Sequence, residues 1–129
     1  MRVKVPRLVV AGLSGDSGKT LVSLGIARAL NDRGVKVRPF KKGPDYIDTA
    51  WLGVAARSTC RNLDTFLMPD EAMAGSLATA ATDADLILVE GNRGLFDGVD
   101  VEGSHSTAML ARRLAAPILL VLDCTKMTR

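Results

Sequence analysis

The segment Gly12-Leu13-Ser14-Gly15-Asp16-Ser17-Gly18-Lys19-Thr20 constrains this chain more than any other part of it. It follows the short apolar run Leu8-Val9-Val10-Ala11 and precedes a stretch whose apolar residues recur at helical spacing. Strand, glycine-rich turn and helix in that order are the context a phosphate loop requires. Glycines let successive backbone N–H groups converge on phosphate oxygens, and a helix N-terminus adds partial positive charge at the same spot. Lys19 can reach the β- and γ-phosphates, and the Thr20 hydroxyl can ligate magnesium. The usual spacing, G-x-x-x-x-G-K-[ST], would put the first glycine at position 13, which is Leu13; here it is Gly12, so the loop is one residue longer. Ser14, Gly15, Asp16, Ser17, Gly18, Lys19, Thr20 and Leu21 form the expected nucleotide-binding segment.

The remaining chain repeats an apolar run, a glycine-bearing turn and a helical stretch. A helix is expected over Thr20 to Asp32, with an apolar surface wide enough to be largely covered by a sheet, and Gly34 stops it. Val35 to about Phe40 reads as a second strand, with Pro39 placing its end near an edge or bulge. A polar loop, Lys41 to Thr49, follows. Residues 50–57 and 70–82 are alanine-rich and expected to be helical. Leu86-Ile87-Leu88-Val89 is a buried strand ending at Glu90-Gly91, Thr107 to Leu114 a short helix, and Ile118 to Leu122 another buried strand. Strands alternating with helices imply an α/β fold, a mostly parallel sheet with helices on both faces. At 129 residues the chain fits one domain. It ends where a loop of the ligand-contacting kind begins, so it is expected to be part of a longer protein.

Composition removes several classes. Aromatic residues make up 4%, too few for the base-stacking platforms of single-strand binders. The net charge of +3, from 17 basic and 14 acidic residues, is a modest and dispersed excess that could suit an anionic small molecule, nucleic acid or plain solvation. Solvation is the simplest account of most of these charges, and the partners expected for the chain include no nucleic acid. No apolar run reaches the ~18 residues needed to span a bilayer, and MRVKVPRLVV lacks a signal-peptide core and cleavage site. Cys60 and Cys124 form no C-x-x-C pair and are expected to pack as small apolar groups in a reduced, cytoplasmic protein without membrane contact.

Chemistry beyond the loop would need carboxylates beside the phosphates. Glu90, at the end of the strongest apolar run, is placed to face the loop. Asp45 and Asp48 lie in Lys41-Lys42-Gly43-Pro44-Asp45-Tyr46-Ile47-Asp48, and Asp97 in Gly94-Leu95-Phe96-Asp97-Gly98; both contexts also suit plain turns. Lys41 and Lys42 follow a strand end on the same edge, and at least one is expected to bind an anion. Arg93 is a further candidate for that role. His105, the single histidine, has no partner at a metal-ligand spacing and is expected to serve packing or surface.

Together, the long phosphate loop, Pro39-Phe40-Lys41-Lys42-Gly43-Pro44-Asp45-Tyr46-Ile47-Asp48, Asn62-Leu63-Asp64, Glu90-Gly91 and Gly94-Leu95-Phe96-Asp97-Gly98 resemble the N-terminal part of the cobyrinic acid a,c-diamide synthase family. The likeness runs from about Val9 to Arg129. It implies a P-loop NTPase-like, dethiobiotin synthetase-like fold truncated at its C-terminus. Residues 1–129 would form the N-terminal portion of an ATP-binding synthetase domain, without the C-terminal glutaminase domain.

The implied reaction is amidation of the a and c carboxylates of a corrinoid, driven by ATP through an acyl phosphate. Ammonia would come from glutamine through the missing domain, and the fragment alone would be inactive. ATP and Mg2+ are the implied cofactors, with Thr20, Asp48 and Glu90 around the metal. Lys41 would assist phosphoryl transfer, and Asp45 and Asp97 would stand nearer the substrate or the incoming ammonia. A homodimer is admitted as a partner state. A nickel-sirohydrochlorin a,c-diamide synthase shares these motifs and stays open. A dethiobiotin synthetase-like ligase is disfavoured by the Gly-Pro-Asp-Tyr-Ile-Asp block. A cobyric acid synthase differs in the Asp45–Asp48 loop, and partitioning ATPases carry a lysine where this chain has Ser14.

Overall fold

Alternation along three central strands determines which residues reach each face of the sheet. In β1 (Arg7–Gly12), Val9 turns to one side and Leu8 and Val10 to the other. In β4 (Leu86–Gly94), Ile87 and Val89 share Val9's side, while Leu86 and Leu88 share that of Val10. β2 (Val37–Lys42) sends Phe40 to the first side and Val37 to the second. The computed structural model describes residues 4–128; Met1 to Val3, the start of the segment read for a signal peptide, and Arg129 of the final loop lie outside the described residues.

The five strands among the described residues are all parallel, in the order β3-β2-β4-β1-β5, with β3 at Arg61–Leu63 and β5 at Ile118–Val121. Helices α3 (Asp70–Ala81) and α4 (Thr107–Leu114) cover the first face through Met73, Leu77, Leu110 and Leu114. Helices α1 (Lys19–Asp32) and α2 (Ile47–Ala56) cover the second through Ala27, Val22, Ile26 and Ala56. The expected α/β sheet with helices on both faces is the observed one. Because β4 lies between β1 and β2, the loops after β1 and β2 leave on either side of β4, the arrangement that opens a crevice at the carboxyl ends of parallel strands.

Several local expectations change. β3, polar and three residues long, was not anticipated. β2 starts later and runs on to Lys42, and α2 begins at Ile47 because the Asp45 carboxylate accepts the N–H groups of Ile47 (2.9 Å) and Asp48 (3.0 Å). Pro39 lies in an interior strand, tolerated because β3 begins only opposite Phe40. α1 is covered along Lys19, Ser23 and Ala27 with Val22 and Ile26, whereas Leu21 is 77% exposed; a single sheet face covers only one stripe. β5 is partly exposed rather than buried, since among the described strands it pairs only with β1. Cys124, beyond β5, is exposed, and Cys60 is half-buried.

Candidate functional site

Glu90 is the last residue with a side chain in the buried run of β4 from Ile87 to Gly91, and its parity sends that side chain toward the α1 and α2 face. Lys41 has the parity of Val37 and stands directly beside Glu90 in the β2–β4 register. The first turn of α1 brings Thr20 to the same place, and the first turn of α2 brings Asp48. Strand alternation and two helix starts thus converge on one spot.

The resulting network is tight. The Thr20 hydroxyl donates to Glu90 Oε1 at 2.6 Å and lies 3.4 Å from Asp48 Oδ2. Lys41 Nζ pairs with Asp48 Oδ2 at 3.0 Å and with Glu90 Oε1 at 3.2 Å, and donates to the Gly91 carbonyl at 3.0 Å. Glu90 is 0% exposed and Lys41 2%. A carboxylate so buried requires paired charge and hydrogen bonds around it. Glu90 Oε2 nonetheless has no hydrogen-bond partner among the described residues.

The phosphate loop completes the site. Gly18, at φ 91°, turns the chain into α1 through a left-handed conformation that suits glycine. Lys19 is buried at this turn, and burial, reinforced by the neighbouring Lys41 charge, lowers its ammonium from the ordinary lysine pKa. An arriving polyanion would reverse that effect, because an opposite charge favours the protonated form.

A pocket of about 620 Å³ is lined by Gly15, Asp16, Ser17, Gly18, Lys19, Thr20, Lys41, Asp48, Glu90, Asn92 and Arg93. All of these except Asn92 are sequence-expected site residues, Arg93 among them as a candidate anion binder. Ser14 and Leu21 are exposed and stand outside the lining, as do Asp45 and Asp97. The Asp45 carboxylate caps α2, and the Asp97 carboxylate accepts the Gly94 N–H at 2.8 Å. Sequence reasoning gave no role to Asn92. It quoted Asn62 in the block Asn62-Leu63-Asp64 but gave it no role; the Asn62 Nδ2 donates to the carbonyls of Gly43 (2.6 Å) and Asp45 (2.8 Å) and so fixes the loop that leads to Asp48.

Among the described residues no group of three His, Cys, Asp or Glu side chains could hold a metal. The hard-oxygen set here is smaller: two carboxylates, Asp48 and Glu90, and one hydroxyl, Thr20. With an unpartnered, buried Glu90 oxygen, it suits a small divalent cation that keeps several of its waters. Among the described residues no helix is long and apolar enough to cross a membrane.

A parallel sheet with a phosphate loop between β1 and α1 defines a P-loop NTPase-like domain with a nucleotide site at its carboxyl edge. The family model described as CobQ/CobB/MinD/ParA nucleotide binding domain matches residues 8–127, and the chain belongs to that family. It is similar to curated proteins named cobyrinate a,c-diamide synthase. It is 49% identical over its whole length to the Magnetococcus marinus protein, covering 28% of that relative. Identity is 47% over 96% of the chain to that of Syntrophotalea carbinolica and 41% over 94% to that of Thermoplasma volcanium, covering 27% of each. The chain therefore spans little more than a quarter of the length of these relatives.

Proposed function

We propose that this domain is the nucleotide-binding part of an ATP- and magnesium-dependent ligase that amidates the a and c carboxylates of cobyrinic acid or hydrogenobyrinic acid. The observation that carries the reaction class is the single pocket in which a phosphate-loop lysine and hydroxyl meet two buried or half-buried carboxylates bridged by Lys41. The corrinoid identity is taken from the relatives' printed names.

A carboxylate resists amidation because its charge repels a nucleophile and its oxygen leaves poorly. In the proposed reaction a carboxylate oxygen attacks the γ-phosphorus, the bond to ADP breaks, and the acyl phosphate has a better leaving group. Ammonia then adds to the acyl carbon and inorganic phosphate departs. The first step brings two anions together, so the chain must supply positive charge where the phosphoryl group passes. Lys19 and the loop N–H groups hold the phosphates. Lys41, fixed by Glu90 and Asp48, supports the site with a charge that needs no reorientation. Thr20, Asp48 and Glu90 would hold Mg2+, which supplies charge neutralisation at the phosphates. Asp45 and Asp97 are assigned nearer the acceptor or the incoming ammonia. Glutamine as the ammonia source, acting through a further domain, a homodimeric state and a cytoplasmic setting belong to the same proposal.

The test is ATP hydrolysis by the full-length protein, with and without cobyrinic acid and glutamine. Hydrolysis dependent on both is expected. Hydrolysis driven by DNA or membranes and indifferent to the corrinoid would overturn the reading.

A further inference from the structure

β4 carries a bulge beside Glu90, and the reaction described above does not use what it presents. β1 and β4 pair at Val10↔Glu90 and next at Gly12↔Gly94, so two steps along β1 match four along β4. The extra residues lie in Gly91-Asn92-Arg93. Bulges next to active sites re-aim side chains, and this one turns Asn92 and Arg93 to the pocket. Arg93 sits at φ 52°, in the left-handed region, a strained conformation for a residue with a Cβ.

The surroundings enforce that conformation from both sides. The Thr107 hydroxyl accepts the Asn92 N–H at 3.2 Å and donates to the Asn92 carbonyl at 3.3 Å. The Gly94 N–H donates to the Asp97 carboxylate at 2.8 Å, and the Leu95 N–H to the Gly12 carbonyl at 2.6 Å. Of the pocket's three cations, Lys41 is engaged by Asp48 and Glu90, and Lys19 is buried in the loop turn. Arg93 is exposed, and among the described residues its guanidinium makes no hydrogen bond or ion pair. A guanidinium offers five donors in a fixed fork that matches an oxyanion bidentately.

We infer that Arg93 binds an oxyanion in this pocket beyond the phosphates cradled by the loop: the acceptor carboxylate or the phosphoryl group passing to it. The identity of the acceptor rests on the amidoligase reading; the presence of the anion does not. The experiment compares Arg93→Ala, Arg93→Lys and Arg93→Gly in the full-length protein. Calorimetry with ADP and with a non-hydrolysable ATP analogue, each with magnesium, reads the nucleotide arm. Steady-state amidation of cobyrinic acid with ATP and glutamine reads the acceptor arm.

A carboxylate partner predicts a KM for cobyrinic acid raised about 10- to 100-fold in the alanine and glycine variants, with analogue affinity unchanged. A phosphoryl partner predicts a similar loss in analogue affinity or kcat, with ADP affinity unchanged. The lysine variant should fall between. Glycine relieves the positive φ, so Arg93→Gly should melt no lower than wild type while losing as much function as Arg93→Ala. Affinities, KM and kcat within about twofold of wild type in both variants overturn the inference. So does an Arg93→Gly variant that recovers what Arg93→Ala loses, which would leave only a backbone role. If the wild type binds nucleotide but does not amidate cobyrinic acid, the amidoligase reading fails and the calorimetric arm still decides the role of Arg93.

Discussion

Replacing Lys41 by Met should destabilise the protein more than replacing Glu90 by Gln, and the two losses should not add. Without Lys41, Glu90 remains fully buried with the Thr20 hydroxyl as its one donor and a second oxygen unpartnered. A buried charge stripped of its partner costs about 3–5 kcal/mol. Without the Glu90 charge, Lys41 keeps Asp48 at 3.0 Å and the Gly91 carbonyl at 3.0 Å, and Asp48 is partly open to solvent. That loss resembles one charge-assisted hydrogen bond, about 1.5–3 kcal/mol. In the double variant no uncompensated buried charge is left, so its cost should lie near that of Glu90→Gln alone, and the coupling should then equal the whole Lys41→Met loss, about 3–5 kcal/mol. Urea unfolding of wild type, both singles and the double, all without nucleotide, gives the four free energies. Additivity within about 0.5 kcal/mol would refute the idea that the two charges are held against burial by each other.

Four further outcomes are expected. Lys19→Ala in the full-length protein should weaken ATP binding at least about tenfold, the scale of a charged hydrogen bond, and abolish amidation; unchanged turnover would remove the phosphate loop from the reaction. Asp45→Ala should lose about 1 kcal/mol with the α2 cap, whereas Asp45→Asn, which retains the acceptor oxygen, should stay near wild-type stability, impair amidation and keep ATP affinity by calorimetry. Gly91→Ala would bring a Cβ to 2.6 Å from Thr107 Cγ2, costing about 1–3 kcal/mol, and Thr107→Ser in the same chain should return part of it; no recovery in a melting assay would locate the clash elsewhere. Burial pushes the pKa of the Cys60 thiol up to about 12, from an ordinary thiol value of 9.0. Its thiolate at pH 8 is thus reduced ~1,000-fold, so alkylation should label Cys124 first and reach Cys60 only as pH rises or the chain unfolds.

The sheet, its helices and the phosphate loop were legible because each rests on local pattern: apolar runs four or five residues long, helical spacing, glycines at a turn. What escaped notice depends on tertiary neighbours. Arg61–Leu63 has no apolar alternation and is a strand because β2 offers it a partner. The start of α2 is fixed by a carboxylate preceding it rather than by its apolar face, which blurred the boundary between loop and helix. Ile118 to Val121 reads as buried because its composition suits two covered faces, but exposure depends on which elements flank it. At the site, Glu90, Asp48 and Lys41 could be read from their places at strand and loop ends, whereas the β4 bulge is a register event between two strands with no single-chain signature.

The network that joins Thr20 to Glu90 spans 70 residues of chain, and the one that joins Lys41 to Glu90 spans 49. No fragment holding only one end of either contact can form it, and a partially folded ensemble will rarely hold both. Nucleotide affinity is therefore a property of the completed sheet, and a ligand at 100 times its Kd should shift the folding equilibrium by about 2.7 kcal/mol toward the native state. Protection from a brief protease pulse as nucleotide is added would consequently report how much of the population has finished folding, with the site acting as a sensor of its own assembly.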